Sequence, residues 1–272
     1  MPLTISDADF RRLTGFIQEN YGINLTQKRQ LITSRLSTSL LKLGFEEFGP
    51  FIDRLLSEGR QEDIELVLNK LTTNYTFFLR EQDHFSFFLN VILPEMVRRH
   101  QRDKVLSIWS AGCSTGEEPY TISMYLKDYL GAEAGAWDTR VLATDISQRV
   151  LATAQEGVYE LPESVPEAWK RKYFLPEKAT GRFRVAPAIR DNVIFRPFNL
   201  MDPIRFRLKF DVIFCRNVMI YFDQKTKDAL AKRFYAATAP GGYLLIGHSE
   251  TLDRSSGYRF LSPATFQKVQ SP

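Results

Sequence analysis

The 272-residue chain reads as a small all-helical domain followed by an α/β domain built on a mostly parallel sheet. Three observations predict this. Apolar residues recur at helical spacing through the first four segments, up to Leu71. From residue 104 onward, apolar runs of strand length alternate with segments of helical period. Between one such run, Val105–Trp109, and the helical pattern Ile122–Leu130 lies the turn Ser110-Ala111-Gly112-Cys113-Ser114-Thr115-Gly116-Glu117-Glu118-Pro119-Tyr120. A first strand, a glycine-bearing turn and a helix are how an α/β domain holds a nucleotide or nucleoside.

The elements follow in order. Ser6 and Asp9 form a candidate capping box, Phe10, Leu13, Phe16, Ile17 and Tyr21 make one apolar stripe, and Gly22 ends the helix. Thr26 is the candidate N-cap of a second helix carrying Leu31, Ile32, Leu36, Leu40 and Leu43, closed by Gly44. Phe48, Phe51, Ile52, Leu55 and Leu56 mark a third, and Ile64, Leu66, Val67, Leu68 and Leu71 a fourth. Short helices with short links predict a bundle over residues 1–71. Thr72–Thr76 breaks the period, so a linker is expected over 72–82 and a second domain over 83–272. Its first, aromatic-rich helix should be kinked or split by Pro94. Strands are expected at 104–109, 140–145, 210–215 and 241–247, with helices near 117–130, 147–156 and 224–238, joined by right-handed crossovers. The stretch 157–198 departs from that rhythm, with Phe183-Arg184-Val185 and Asn192-Val193-Ile194-Phe195 around Gly181 and Pro187, and predicts an inserted antiparallel β-subdomain.

Composition is that of an ordinary globular protein, 44% hydrophobic and 25% charged. Cys113 and Cys215 do not make a disulfide framework, and His84, His100 and His248 lack metal-ligand spacing, so no metal is expected. Met1-Pro2-Leu3-Thr4 does not read as a signal peptide, and no apolar run has membrane-span length; a cytoplasmic protein, not inserted in a membrane and working as a monomer, is expected. The net charge of +4 is unevenly spread. Ala168–Phe210 holds eleven cations and three acids, and Asn20–Phe45 holds Lys28, Arg29, Arg35 and Lys42 with no acid. These are either solvated faces or docking surfaces for an acidic partner. Nucleic acid is not the expected partner, because no RNP-like aromatic motif or helix-turn-helix accompanies the charge.

Several positions can carry chemistry. Gly112 and Gly116 let backbone amides approach a ligand. The turn is neither a dinucleotide fingerprint nor a P-loop, and its two acids oppose a phosphate, which favours a cofactor with a cationic or hydroxyl-rich end. Glu117 either charges the helix N-terminus or meets a cofactor amine. Asp145, at the end of Ala143-Thr144-Asp145-Ile146, either caps a helix or accepts ribose hydroxyls. Phe198-Asn199-Leu200 can border an adenine pocket. Asp211–Cys215 followed by Arg216-Asn217-Val218-Met219-Ile220-Tyr221 places polar groups where parallel strands end. Arg80, in the linker, either makes an ion pair or holds an acidic substrate group or the cofactor's carboxylate. His248 is expected to be structural.

Leu71-Thr72-Thr73-Asn74 with Phe77-Phe78-Leu79-Arg80-Glu81, the Ser110–Tyr120 run, Thr144-Asp145-Ile146, Phe214–Phe222 and Gly247-His248-Ser249-Glu250 stand in one order that resembles the CheR-type chemotaxis receptor methyltransferases over nearly the whole chain. The resemblance implies a helical N-terminal domain, a linker, and a Rossmann-like class I methyltransferase domain with an inserted β-subdomain. It implies S-adenosylmethionine as cofactor, S-adenosylhomocysteine as product, and a cofactor site lined by Asn74, Thr76, Arg80, Glu117, Asp145, Asn199, Leu200, Arg216 and Asn217. The implied activity is methyl esterification of glutamates on the cytoplasmic methylation helices of membrane chemoreceptors. The two basic stretches fall in the regions that this family turns toward the receptor. The loop between Tyr173-Phe174 and Phe183-Arg184-Val185 is shorter than in members that bind a receptor tail pentapeptide, so docking independent of the tail is expected.

A glutamate is already ionised at neutral pH, with a reference pKa of about 4.3, so esterification needs no general base. Arg80 and Tyr221 are expected to orient the carboxylate. Two other functions stay open at this stage: a methyltransferase acting on RNA, suggested by the basic insertion, and a non-catalytic module on the same fold. The first would carry an amine-methylating motif where Arg216-Asn217-Val218-Met219 stands; the second would not need Arg80, Asp145 and Tyr221.

Overall fold

The computed structural model describes residues 3–269, which form two compact units. The first comprises the residues through Asn74 together with Tyr221–Lys227; the second comprises Tyr75–Ile220 and the residues from Asp228 on.

In the first unit, α1 (Asp7–Tyr21), α2 (Arg29–Lys42), α3 (Phe48–Glu58) and α4 (Gln61–Leu71) pack α1 on α3 and α2 on α4. Ser6 Oγ accepts the Asp9 N–H, and Gly22 and Gly59 end α1 and α3 in the left-handed conformation. Leu13, Ile17, Ile32, Leu36, Leu40, Phe51, Ile52, Leu55 and Val67 are fully buried. Thr26 does not cap α2. Its N–H and hydroxyl both turn to Asn24 Oδ1, and the helix starts three residues later without a side-chain cap. Nor does this unit end at residue 71. The Asn24 N–H donates to the Tyr221 carbonyl at 2.8 Å, Ile23 bridges Phe222, and Gln18 Nε2 donates to Asp223 at 2.7 Å.

The second unit opens with α5 (Gln82–Phe87) and α6 (Leu93–Arg99), separated by a π-helical turn at Phe88–Ile92. Pro94 sits at the start of α6 and cannot supply an N–H, so the helix is split there by a wider turn, as expected. The remaining elements are β1 (Ile108–Ala111), α7 (Glu117–Leu130), β2 (Val141–Asp145), α8 (Gln148–Glu156), β3 (Val158–Tyr159), α9 (Glu167–Tyr173), β4 (Phe174–Glu177), β5 (Arg182–Val185), α10 (Pro187–Arg190), β6 (Val193–Pro197), β7 (Phe210–Cys215), α11 (Gln224–Ala237), β8 (Thr238–Ile246), β9 (Tyr258–Ser262) and β10 (Thr265–Lys268).

The main sheet has the order β6-β2-β1-β7-β8-β10-β9. β6, β2, β1, β7 and β8 are parallel, and β10 runs against both of its neighbours. Every residue of β1 and β7 is buried, as central parallel strands covered on both faces require. The chain leaves β1 toward β2 and β6, then returns to the other side of β1 as β7. The order therefore reverses between β1 and β7, and α/β sheets bind ligands at the carboxyl ends flanking such a point.

The inserted antiparallel sheet is smaller than expected, with the order β3-β5-β4. Residues 193–197 lie outside it. They pair in parallel with β2, from Val193 on Val141 to Pro197 on Asp145. β6 is an edge strand, so its burial alternates and its sequence imitates an antiparallel piece. Four of the eleven local cations make ion pairs: Lys170 with Glu167, Lys172 with Asp128, Arg184 with Glu177 and Arg190 with Asp191. Among the described residues no helix is long and apolar enough to cross a membrane.

Candidate active site

Four neighbouring strand ends in the second unit carry most of the expected residues: Asn199 and Leu200 after β6, Asp145 ending β2, Glu117 after β1, and Arg216 and Asn217 after β7. The turn after β1 is fixed by its neighbour. The Gly112 and Cys113 N–H groups both donate to the Thr144 carbonyl, at 2.8 and 2.9 Å. Asp145 accepts the Ser114 N–H on Oδ2 at 2.8 Å and the Ser147 N–H on Oδ1 at 3.0 Å. Gly112 and Gly116 have φ of +84° and +97°, but the space beside them is filled by the protein itself. A Cβ on Gly112 would lie 2.4 Å from Val218 Cγ2, and one on Gly116 2.8 Å from Ala154 Cβ. These glycines admit the chain's own side chains.

The adjacent acids have different fates. Glu118 accepts from Ser110 Oγ at 2.7 Å and pairs with Arg216 at 3.0 Å. Glu117 is 8% exposed, accepts from Thr115 Oγ1 at 2.7 Å and from its own backbone N–H, and has no cation to offset it among the described residues. Burial pushes its carboxyl above the usual range, and burial does the same to Asp145 against its backbone donors. Cys113 and Cys215 are buried thiols pushed well above their ordinary value by burial and by nearby acids.

Arg216 is a buried brace. Its Nη1 donates to Glu118, its Nε and Nη2 donate to Glu81 Oε2 at 3.3 and 3.1 Å, and Nη2 also donates to the Arg80 carbonyl. The guanidinium lies 5.3 Å from the centre of the Phe85 ring. Most of its donors are thus committed to protein groups. Glu81 also accepts from Asn217 Nδ2 at 3.1 Å. Burial alone would raise the Glu81 carboxyl; His84, Arg216 and Asn217 outweigh it and hold the group far below the usual range. Leu79, Glu81 and Asn217 have φ of +65°, +55° and +59°, so three non-glycine residues hold strained backbone around one carboxylate.

His84 lies buried under Glu81, with Nδ1 3.3 Å from its Oε2, and stacks edge-on to His248, which bonds Asp83 at 2.9 Å. Sequence spacing gave no sign of this meeting. Glu81, His84 and His248 bring their ligating atoms within 4.8 Å of one another, but the Glu81 carboxylate is taken by Arg216 and Asn217.

Arg80 differs from Arg216. It is half-buried and donates to the Tyr75 carbonyl at 2.8 Å, and no carboxylate among the described residues pairs with it. Thr76 is half-buried in the same linker. Asn199 Oδ1 accepts the Met201 N–H, and the carbonyl of buried Leu200 accepts from Arg233. Asn74 and Tyr221 belong to the first unit. There Asn74 Oδ1 accepts from Thr72 Oγ1 at 3.4 Å, and the Tyr221 hydroxyl donates to the Thr73 carbonyl at 3.1 Å and accepts its N–H at 3.3 Å.

Two family models cover this chain. The CheR methyltransferase all-alpha domain matches residues 8–72 and the CheR methyltransferase SAM binding domain matches residues 74–266. The chain belongs to the CheR methyltransferase family. A chemotaxis protein methyltransferase of Borreliella burgdorferi is 43% identical over 98% of this chain and 96% of its own length. Its Escherichia coli namesake is 40% identical over 91% and 86%, and chemotaxis protein methyltransferase Cher2 of Pseudomonas putida 34% over 92% and 93%. The chain is therefore an S-adenosylmethionine-dependent methyltransferase of chemotaxis. The donor set fits this cofactor. Glu117 is a buried carboxyl with no cation beside it among the described residues, and S-adenosylmethionine carries an ammonium and a sulfonium; Asp145 keeps lone pairs on both oxygens, and the cofactor carries a ribose diol.

Proposed function

We propose that this CheR-family enzyme esterifies glutamate side chains on the methylation helices of membrane chemoreceptors, acting in the cytoplasm as a monomer. Arg80 carries the proposal. It is a guanidinium with one backbone acceptor and no acid paired with it among the described residues, held in a strained linker, and it suits an acceptor that is itself a carboxylate. Glu117 would hold the cofactor's ammonium and Asp145 its ribose, with Asn199 and Leu200 beside the adenine.

When bound, S-adenosylmethionine supplies an electrophilic methyl on sulfur, which a carboxylate oxygen takes up as the carbon–sulfur bond breaks, without proton transfer. The acceptor is an anion and the donor a cation, and both are neutral afterwards. Arg80 must therefore aim the carboxylate without stabilising it more before reaction than during it. The brace of Arg216, Glu81 and Glu118 keeps the linker's geometry, and alignment of two reactants is worth about 7–11 kcal/mol. Tyr221 is expected to orient the carboxylate as well, and its hydroxyl is engaged by Thr73.

Transfer of tritiated methyl to receptor-containing membranes tests the proposal. The expected product is a base-labile ester released as volatile methanol; base-stable label would overturn it. An RNA acceptor finds less support, because Arg216-Asn217-Val218-Met219 stands where an amine-methylating motif would lie.

Cofactor binding should also depend on pH. Burial raises the carboxyls of Glu117 and Asp145, so folded protein takes up protons that a cationic ligand must expel. Affinity for S-adenosylmethionine is expected to fall as the solution is acidified through the raised range of these carboxyls, with proton release on binding, and Glu117→Gln should flatten the Glu117 part of that slope. Calorimetry in buffers of different ionisation enthalpy reads this directly; equal slopes in both proteins would remove Glu117 from the ammonium site.

A further inference from the structure

Glu250 follows β8 and is 5% exposed. Its hydrogen-bond donors are backbone amides: Oε2 accepts the Gly247 N–H at 2.5 Å and the Asn217 N–H at 3.1 Å, and Oε1 accepts the Ile220 N–H at 3.1 Å. No cation among the described residues pairs with it. What it holds is the turn leaving β7, where Asn217 is left-handed at φ +59°, a conformation that costs a side chain free energy.

Two side chains of that turn reach the candidate site. Asn217 donates to Glu81, and Val218 fills the space beside Gly112. Gly247 makes room for the arrangement, since a Cβ there would lie 2.7 Å from Asn217 Nδ2 and 2.8 Å from its backbone nitrogen. One buried acid thus joins the ends of β7 and β8, the linker at Glu81 and the turn after β1.

We infer that Glu250 is a positioning residue for S-adenosylmethionine binding. It holds the 217–220 turn so that Val218 supports the turn after β1 and Asn217 fixes Glu81. A carboxylate is required, because three N–H donors converge on two oxygens. A glutamine would set its own NH₂ against at least one of them. The role rests on the cofactor lying at the β1 turn, but not on the identity of the methyl acceptor.

The test uses the full chain and S-adenosylmethionine binding by calorimetry. Glu250→Gln should weaken binding at least tenfold. In an Asn217→Gly background, where glycine takes the left-handed conformation unaided, the same change should weaken it less than threefold. A Glu250→Gln protein with a lower Tm but a Kd within twofold of the wild type would make Glu250 merely structural and overturn the inference. If that variant does not fold, amide exchange in the wild type decides. The Gly247, Asn217 and Ile220 amides should exchange slowly and be slowed further by S-adenosylmethionine; exchange indifferent to it would overturn the inference. Glu117→Gln run in parallel separates the two failures, because unchanged affinity there would displace the cofactor rather than Glu250.

Discussion

Replacing Arg80 by alanine is expected to lower kcat for methyl transfer about a hundredfold while S-adenosylmethionine affinity stays within about threefold. The guanidinium is anchored by the Tyr75 carbonyl and is not part of the buried ion pairs, so its loss leaves no uncompensated charge. The effect should fall on the acceptor. Arg80→Lys should recover only part of the rate, because a lysine keeps the charge and loses the planar fork that meets both carboxylate oxygens. Steady-state kinetics with receptor membranes decide the matter: a kcat equal to the wild type would mean that Arg80 does not orient the acceptor.

Arg216→Ala should act on stability first. Its side chain is 2% exposed and sits between Glu81 and Glu118, so removing it strands two acids in a dry site. Breaking a buried pair from one side costs about 3–5 kcal/mol, which for a chain of this size lowers Tm by roughly 10 °C. The pH dependence has a definite sign. The Glu81 carboxyl lies below its unfolded value, so its stabilising contribution is complete above that unfolded value, about pH 4.3, and is lost as pH falls through the folded one. The gap between wild type and Arg216→Ala should therefore narrow as the solution is acidified below about pH 4.3. Urea unfolding at several pH values measures it, and a constant gap would mean that Glu81 is not the partner that matters.

The alternation of apolar runs and helical periods was enough to place α7, α8, α11, β2 and β7 within a residue or two, because those elements bury whole faces. It began β1 four residues early although every β1 residue is buried, and it misassigned β6. β6 is an edge strand, and its alternating pattern suits an antiparallel insertion equally well. Asp145 and Glu117 were legible because strand ends and helix starts can be read from periodicity. Glu81, Glu118 and Glu250 as partners of Arg216 and Asn217 were not, since those contacts join residues more than thirty positions apart and three left-handed residues that no local signal announces. The glycines of the β1 turn show a subtler limit. Their presence was read correctly, but what occupies the space beside them is set by Val218 and Ala154, far along the chain.

The first unit is assembled from two stretches, the second of which begins at Tyr221. During synthesis the four helices leave the ribosome long before the residues that pair with Ile23 and Asn24 exist. A nascent chain halted after α4 should therefore carry its helices without the bonds from Asn24 and Gln18, and acquire them only once Tyr221–Lys227 has emerged. The helical region of this enzyme is thus made before the central strands of the sheet and completed only after β7.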